Sequence, residues 1–228
     1  MNDMLKHKRQ SILKPTALLI MLFWLAQPVF AHDVVGELES MSKGDAAILY
    51  AQLGFTHIIP LGFDHILFIL SLFLLSPKLK PVLWQATAFT VAHSITLGLA
   101  MFKVITPQPA IVEPIIAISI MYVALENIFS PRIKKTRIGI VFIFGLVHGM
   151  GFANALNTLG LPQESYLISL VMFNMGVEIG QLAVIVSAFI LFGKWFGNKP
   201  YYRKCIVIPL SVLITLMAGY WTLERLFF

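Results

Sequence analysis

The sequence predicts an all-α integral membrane protein, a compact bundle of six transmembrane helices behind an N-terminal signal peptide. Three observations carry this expectation. Apolar residues make up 58% of the 228-residue chain and charged residues only 12%, against roughly 25% charged in a soluble domain. Six apolar runs, residues 54–75, 82–102, 111–129, 138–159, 166–192 and 206–227, approach or exceed the about 20 residues that a membrane helix needs. The connections between them are short, and 76–81 and 103–110 carry prolines, which punctuate helices.

In chain order, residues 1–31 read as the signal. Lys6, Lys8, Arg9 and Lys14 form its basic region, 17–26 its apolar run, and Val29-Phe30-Ala31 an acceptable cleavage pattern. The stretch 16–30 is short for a span and has Pro28 near its end. Cleavage after Ala31 would make His32 the mature terminus, whose amine and imidazole form a chelating pair for a transition metal. Residues 32–53 are an acidic lead with Asp33, Glu37, Glu39 and Asp45. A short interfacial helix over 41–53 is expected there, capped by Ser42 with Asp45 three positions on. Residues 54–228 form the membrane domain.

A cleaved signal leaves the N-terminus outside. Six spans then put 77–80, 130–137 and 193–204 in the cytoplasm. Those loops hold Lys78, Lys80, Arg132, Lys134, Lys135, Arg137, Lys194, Lys199, Arg203 and Lys204, against Lys43, Lys103 and Arg225 outside. This bias agrees with the orientation and places the C-terminus outside as well. The expected location is the inner membrane of a Gram-negative bacterium, because the runs are too long for barrel strands. The formal charge of +6 is topological: no basic, aromatic-interleaved surface suggests nucleic acid. The one cysteine, Cys205, allows neither an internal disulfide nor a Cys-based metal motif and is expected to be a small apolar filler.

Chemistry enters through polar residues inside the apolar runs. A charge near a bilayer centre costs at least ~2.5–3.5 kcal/mol, tolerated where such groups face each other, water or an ion. The first span carries His57, Asp64 and His65, the second His93, the third Glu113 and Glu126, the fourth His148, and the fifth Asn174, Glu178 and Gln181. His57 and Asp64 are seven apart and share a face of a continuous helix. Pro60 and Gly62 lie between them and could distort it, which is tolerated only against protein or a cavity. Gly145, Gly149 and Gly151 permit close helix contact. Asn174, Glu178 and Gln181 form one stripe facing the interior.

From the orientation, Asp64, His65, His93, His148, Asn174 and Glu178 fall in one central slab, with His57 and Glu113 above and Glu126 below. The candidate ligands are His57, Asp64, His65, His93, His148 and Glu178. Glu113, Glu126, Ser94, Asn174 and Gln181 are candidate pathway or supporting residues, and His32 a candidate terminal ligand. Imidazole with carboxylate suits nickel, zinc, cobalt, copper or iron without selecting among them. A series at different depths reads as an ion path, or as one site with its supporting partners. Membrane histidines also serve as hydrogen-bonding struts between helices, Glu126 has Arg132 nearby for an interfacial ion pair, and Ser94 can bond to its own helix.

The strings Gly54-Phe-Thr-His-Ile-Ile-Pro-Leu-Gly-Phe-Asp-His65, Phe89-Thr-Val-Ala-His-Ser-Ile-Thr-Leu97, His148-Gly-Met-Gly-Phe-Ala153 and Phe173-Asn-Met-Gly-Val-Glu-Ile-Gly-Gln181 resemble the HupE/UreJ family. The resemblance covers roughly residues 45–190 and implies a small membrane protein of six to seven helices, some of whose relatives are taken to be nickel permeases. It points to His57, Asp64 and His65 as the core motif and adds His93, His148, Asn174 and Glu178. The early motif of the hydrogenase-linked type reads His-Pro-x-x-Gly-x-Asp-His; here His57 is followed by Ile58, and Pro60 comes two residues later. The later strings look like a less-characterised branch.

The expected function is therefore a divalent transition-metal permease of the nickel type, whose partners are the ion and the bilayer. Two alternatives are an intramembrane metal-dependent hydrolase acting on a lipid-like substrate and a metal-binding accessory subunit of a membrane complex. Lack of a His-Glu-x-x-His pair weighs against the hydrolase.

Overall fold

The computed structural model describes residues 42–159 and 166–228, and every regular element in them is helical. The signal region, His32 and most of the acidic lead lie outside the described residues. The helices are α1 (Lys43–Ile58), α2 (Phe63–Leu75), α3 (Leu79–Met101), α4 (Pro109–Phe129), α5 (Arg137–Leu159), α6 (Tyr166–Ala188) and α7 (Ile208–Phe227). Helix α6 runs on through a π turn at Phe189–Gly193 to Phe196, and a second π turn, Arg203–Val207, leads into α7.

Helix α1 begins as its sequence directs. Ser42 is its cap, accepting a hydrogen bond from the Asp45 amide, and Asp45 sits where the helix dipole favours a carboxylate. The helix does not stop at residue 53, however; it continues to Ile58 and carries His57 in its last turn. Residues 43–53 of the lead and the start of the expected span are thus one helix, and the expected single span 54–75 is broken instead.

The break falls at residues 59–62, with a cis Ile59–Pro60 peptide, and turns the chain by 67°. The turn is closed by Leu61 N–H to the Thr56 carbonyl and Gly62 N–H to the Ile58 carbonyl, each 3.2 Å. Only glycine fits at 62, because a Cβ there would strike the His57 carbonyl. A helix with this break has no common face for His57 and Asp64, so the seven-residue argument does not apply; the bend itself brings the two half-helix ends together.

Three helix pairs pack most closely: α1 with α6, α3 with α5, and α4 with α7. Helix α2 runs among them, against α3, α4, α6 and α7. In the α3–α5 pair Gly149 is pressed against the His93 carbonyl and Thr96 Oγ1, and Thr96 Oγ1 donates 2.7 Å to the Leu146 carbonyl. Backbones approach this closely only where a side chain is missing.

The distribution of polarity is that of a membrane protein. Val91, Ile95 and Leu99 on α3, Ile111, Ile115 and Ile118 on α4, and Leu213 and Leu216 on α7 are exposed, while His65, His93, Ser119, Asn127, Arg137, His148 and Gln181 are buried. Among the described residues, four helical stretches are long and apolar enough to cross a bilayer, Leu79–Met101, Pro109–Phe129, Tyr166–Phe196 and Arg203–Phe227; the bent α1–α2 pair makes a fifth if counted as one span. Arg137–Ala153 is a shorter apolar stretch of α5.

One end of the bundle gathers the connections α2–α3, α4–α5 and α6–α7. Arg203 donates to the Ser130 and Ile128 carbonyls at 3.1 and 2.8 Å, and Tyr202 Oη to the Leu74 carbonyl at 3.3 Å. At the other end, Arg225 Nη1 donates 3.1 Å to the Glu113 carbonyl. Two residues depart from expectation at the first end. Arg137, counted above among the loop cations, is a fully buried side chain. Cys205, expected as filler, is exposed.

Candidate metal site

Each half of the broken helix delivers part of the site. Helix α1 ends with His57, and the first turn of α2 holds Asp64 and His65. A carboxylate at a helix N-terminus is favoured by the dipole. Asp64 Oδ1 accepts both the His65 amide, at 2.9 Å, and His65 Nδ1, at 3.1 Å. An ionised carboxylate only accepts, so Nδ1 carries the ring proton and Nε2 is left with its lone pair. That nitrogen is buried and has no partner. A carboxylate fixing the tautomer of a histidine in this way is the usual support of a metal ligand.

His65 meets His57 and His93 at the centre. One ring nitrogen from each of the three lies within 4.8 Å of the other two. His57 Nε2 and both nitrogens of His93 are also buried and unpartnered. Each such polar atom, left alone, is disfavoured by about 1–3 kcal/mol. Three converging imidazoles with free nitrogens are the donor set a borderline transition metal takes, and one ion would satisfy three of them together.

His148 stands beside the cluster, its ring centroid 5.0 Å from that of His65. Asp64 shapes the cluster through His65 and is the more open of the two, with 24% of its side chain exposed. Asn174 lies beside His93 and donates 2.8 Å to the Leu170 carbonyl of its own helix; its oxygen is buried without a partner.

A cavity of about 520 Å³ leads to these residues. His57, Asp64, His65 and His148 line it, together with Glu113 and Arg225 at the α4–α7 end and apolar Leu53, Leu61, Ile116 and Phe152. Glu113 therefore lines the same cavity as His57, Asp64, His65 and His148.

Not every sequence candidate joins the centre. Glu178 lies on a separate groove of about 380 Å³ between α3 and α6, with Asn174, Ser94 and Thr90. Its carboxylate accepts 3.2 Å from Thr87 Oγ1, and its other oxygen is buried and unpartnered. Ser94 bonds to the Thr90 carbonyl of its own helix at 2.7 Å, and Gln181 accepts 3.2 Å from Thr90 Oγ1, tying α3 to α6. Glu126 pairs with Arg137 at 2.8 Å rather than with Arg132.

Arg137 is the polar residue that sequence reasoning placed wrongly. Its Nε donates 2.9 Å to Gln85 Oε1, its terminal nitrogens 3.2 Å to Asn127 Oδ1, and Nη2 3.3 Å to the Ser71 carbonyl. Asn127 in turn donates 2.8 Å to the Ser71 carbonyl. Ser71 is six residues beyond His65 and Gln85 eight before His93, so this knot sits about 9–12 Å from the cluster along the helices. It faces the end that gathers the basic connections.

Exposed apolar helix faces, a sharply bent helix pair and the half-buried His57 and buried His65 at its bend define a helical membrane protein with a candidate metal site. Residues 33–225 match the family model described as HupE / UreJ protein. The chain belongs to the HupE/UreJ family, which is associated with nickel and cobalt transport. No curated protein and no solved structure matches it.

Proposed function

We propose that this protein is a divalent transition-metal permease of the nickel type. The observation that carries the reading is the convergence of His57, His65 and His93, each with a free buried nitrogen. Family membership and the cavity that reaches the cluster from the Glu113 end support it.

In this reading α1–α2, α3, α4, α5, α6 and α7 form six spans of a bacterial inner membrane, with the signal removed and both mature termini in the periplasm. The Arg137 knot faces the cytoplasm. The ion enters past Glu113, exchanges water for the three imidazoles and His148, and is held while Asp64 orients His65. His93 and Asn174 connect the cluster to the groove that Glu178 lines, on the way out. The membrane potential favours inward movement by ~2.3 kcal/mol per charge per 100 mV.

Elemental mass spectrometry of the detergent-purified chain tests the site. About one ion per chain in wild type, lost in His65→Ala and reduced in Asp64→Asn, supports it; equal content in all three overturns it. Uptake into liposomes then separates a permease from a metalloenzyme or an accessory subunit. A site that holds metal without uptake, and turns over a lipid-like substrate, would replace the permease reading.

A further inference from the structure

Arg225 is out of place at the mouth of a path for bare cations. Its side chain lines the same cavity as Glu113, Asp64 and the histidines. A guanidinium keeps its charge at any physiological pH, so beside the Glu113 and Asp64 carboxylates, which attract a dication, the vestibule also carries a fixed cation that attracts an anion. No carboxylate is in ion-pair contact with it: the ion pairs among the described residues are Asp64–His65 and Glu126–Arg137. Of its five N–H donors, one is used, on the Glu113 carbonyl. The guanidinium lies 5.7 Å over the Trp221 ring, and the residue lines the cavity with its other donors unused.

Size points the same way. At about 30 Å³ per water, six waters of a hydrated ion occupy roughly 180 Å³. The cavity, at about 520 Å³, is in the range of small-molecule sites. A planar fork of donors at one end, and imidazoles with free lone pairs at the other, match the two halves of one ligand: a carboxylate and the metal it carries.

Resting on the permease reading, we infer that the vestibule receives its metal as a complex with a small carboxylate chelator, the carboxylate seated on Arg225 and the metal passed to His57 and His65. Such a complex is neutral or anionic and meets no repulsion from Arg225.

The experiment uses the full chain in detergent with nickel(II) alone, with ¹⁴C-citrate alone and with both at equal concentration. The expected result is nickel and citrate retained together in wild type at about one to one, little citrate retained without nickel, and a citrate-to-nickel ratio at least tenfold lower in Arg225→Gln. Arg225→Lys, which keeps the charge and loses the fork, should fall between. Nickel retained without citrate, an unchanged ratio in both variants, or citrate held equally without nickel overturns the inference and leaves the metal site standing. No nickel retained by wild type in any condition overturns the metal site and this inference with it.

Discussion

Ser119 Oγ lies 2.9 Å from His148 Nε2 while giving its single proton to the Ile116 carbonyl 2.7 Å away. The hydroxyl can therefore only accept from the ring, so Nε2 carries the proton and Nδ1, which is buried and unpartnered, keeps its lone pair. Two of the histidines thus have their tautomers set by neighbours, His65 by Asp64 and His148 by Ser119. Ser119→Ala should weaken metal binding roughly tenfold, the lower end for loss of a partner behind a ligand. Isothermal titration of nickel into both proteins reads this directly, and equal affinities would remove His148 from the site.

The Glu126–Arg137 pair is buried on both sides, at 8% and 1% side-chain exposure. Removing one partner of such a pair strands the other charge, at about 3–5 kcal/mol, whereas replacing both with apolar residues of similar volume is often nearly neutral. Glu126→Leu should therefore lower the unfolding midpoint in detergent sharply, and Glu126→Leu with Arg137→Met should recover much of the loss. If the double variant is as unstable as the single one, the hydrogen bonds of Arg137 to Gln85 and Asn127 hold the bundle by themselves.

Gly149→Ala places a methyl group against the His93 carbonyl and Thr96 Oγ1. The α3–α5 pair must part to take it, at a cost on the order of 1–3 kcal/mol, and His93 moves away from His57 and His65. Thermal stability and nickel content should fall together. A stable variant that has lost its nickel would place the effect on ligand position alone.

Glu178 separates holding from passing. It lies on the α3–α6 groove outside the three-histidine cluster, so Glu178→Gln should keep bound nickel within about twofold while slowing liposome uptake several-fold. Loss of bound nickel would instead return Glu178 to the ligand set.

The chemistry of the site was legible in the sequence, and its directions were not. Polar residues in apolar runs identify themselves, because lipid tolerates few of them; His57, His65 and His93 do converge. Facing was not readable from residue count: Glu178 is level with Thr87 of α3, six residues before His93, and opens on a different groove. The His57–Asp64 register assumed an unbroken helix, although Pro60 and Gly62 both signalled the break. Arg137 is the last residue of the basic loop sequence 130–137, two after Lys135, and reads as part of it. Only the fold reveals that Gln85, Glu126 and Asn127 from two other helices surround it.

The Arg137 knot bears on how fast anything passes. An aqueous pore carries a stream, and its current rises with the driving concentration. In the permease proposed above, a bundle tied at one end by five hydrogen bonds to a single guanidinium would have to exchange those bonds once for every ion delivered. Flux through such a permease would saturate, rise steeply with temperature and be too small to register as a single-channel conductance.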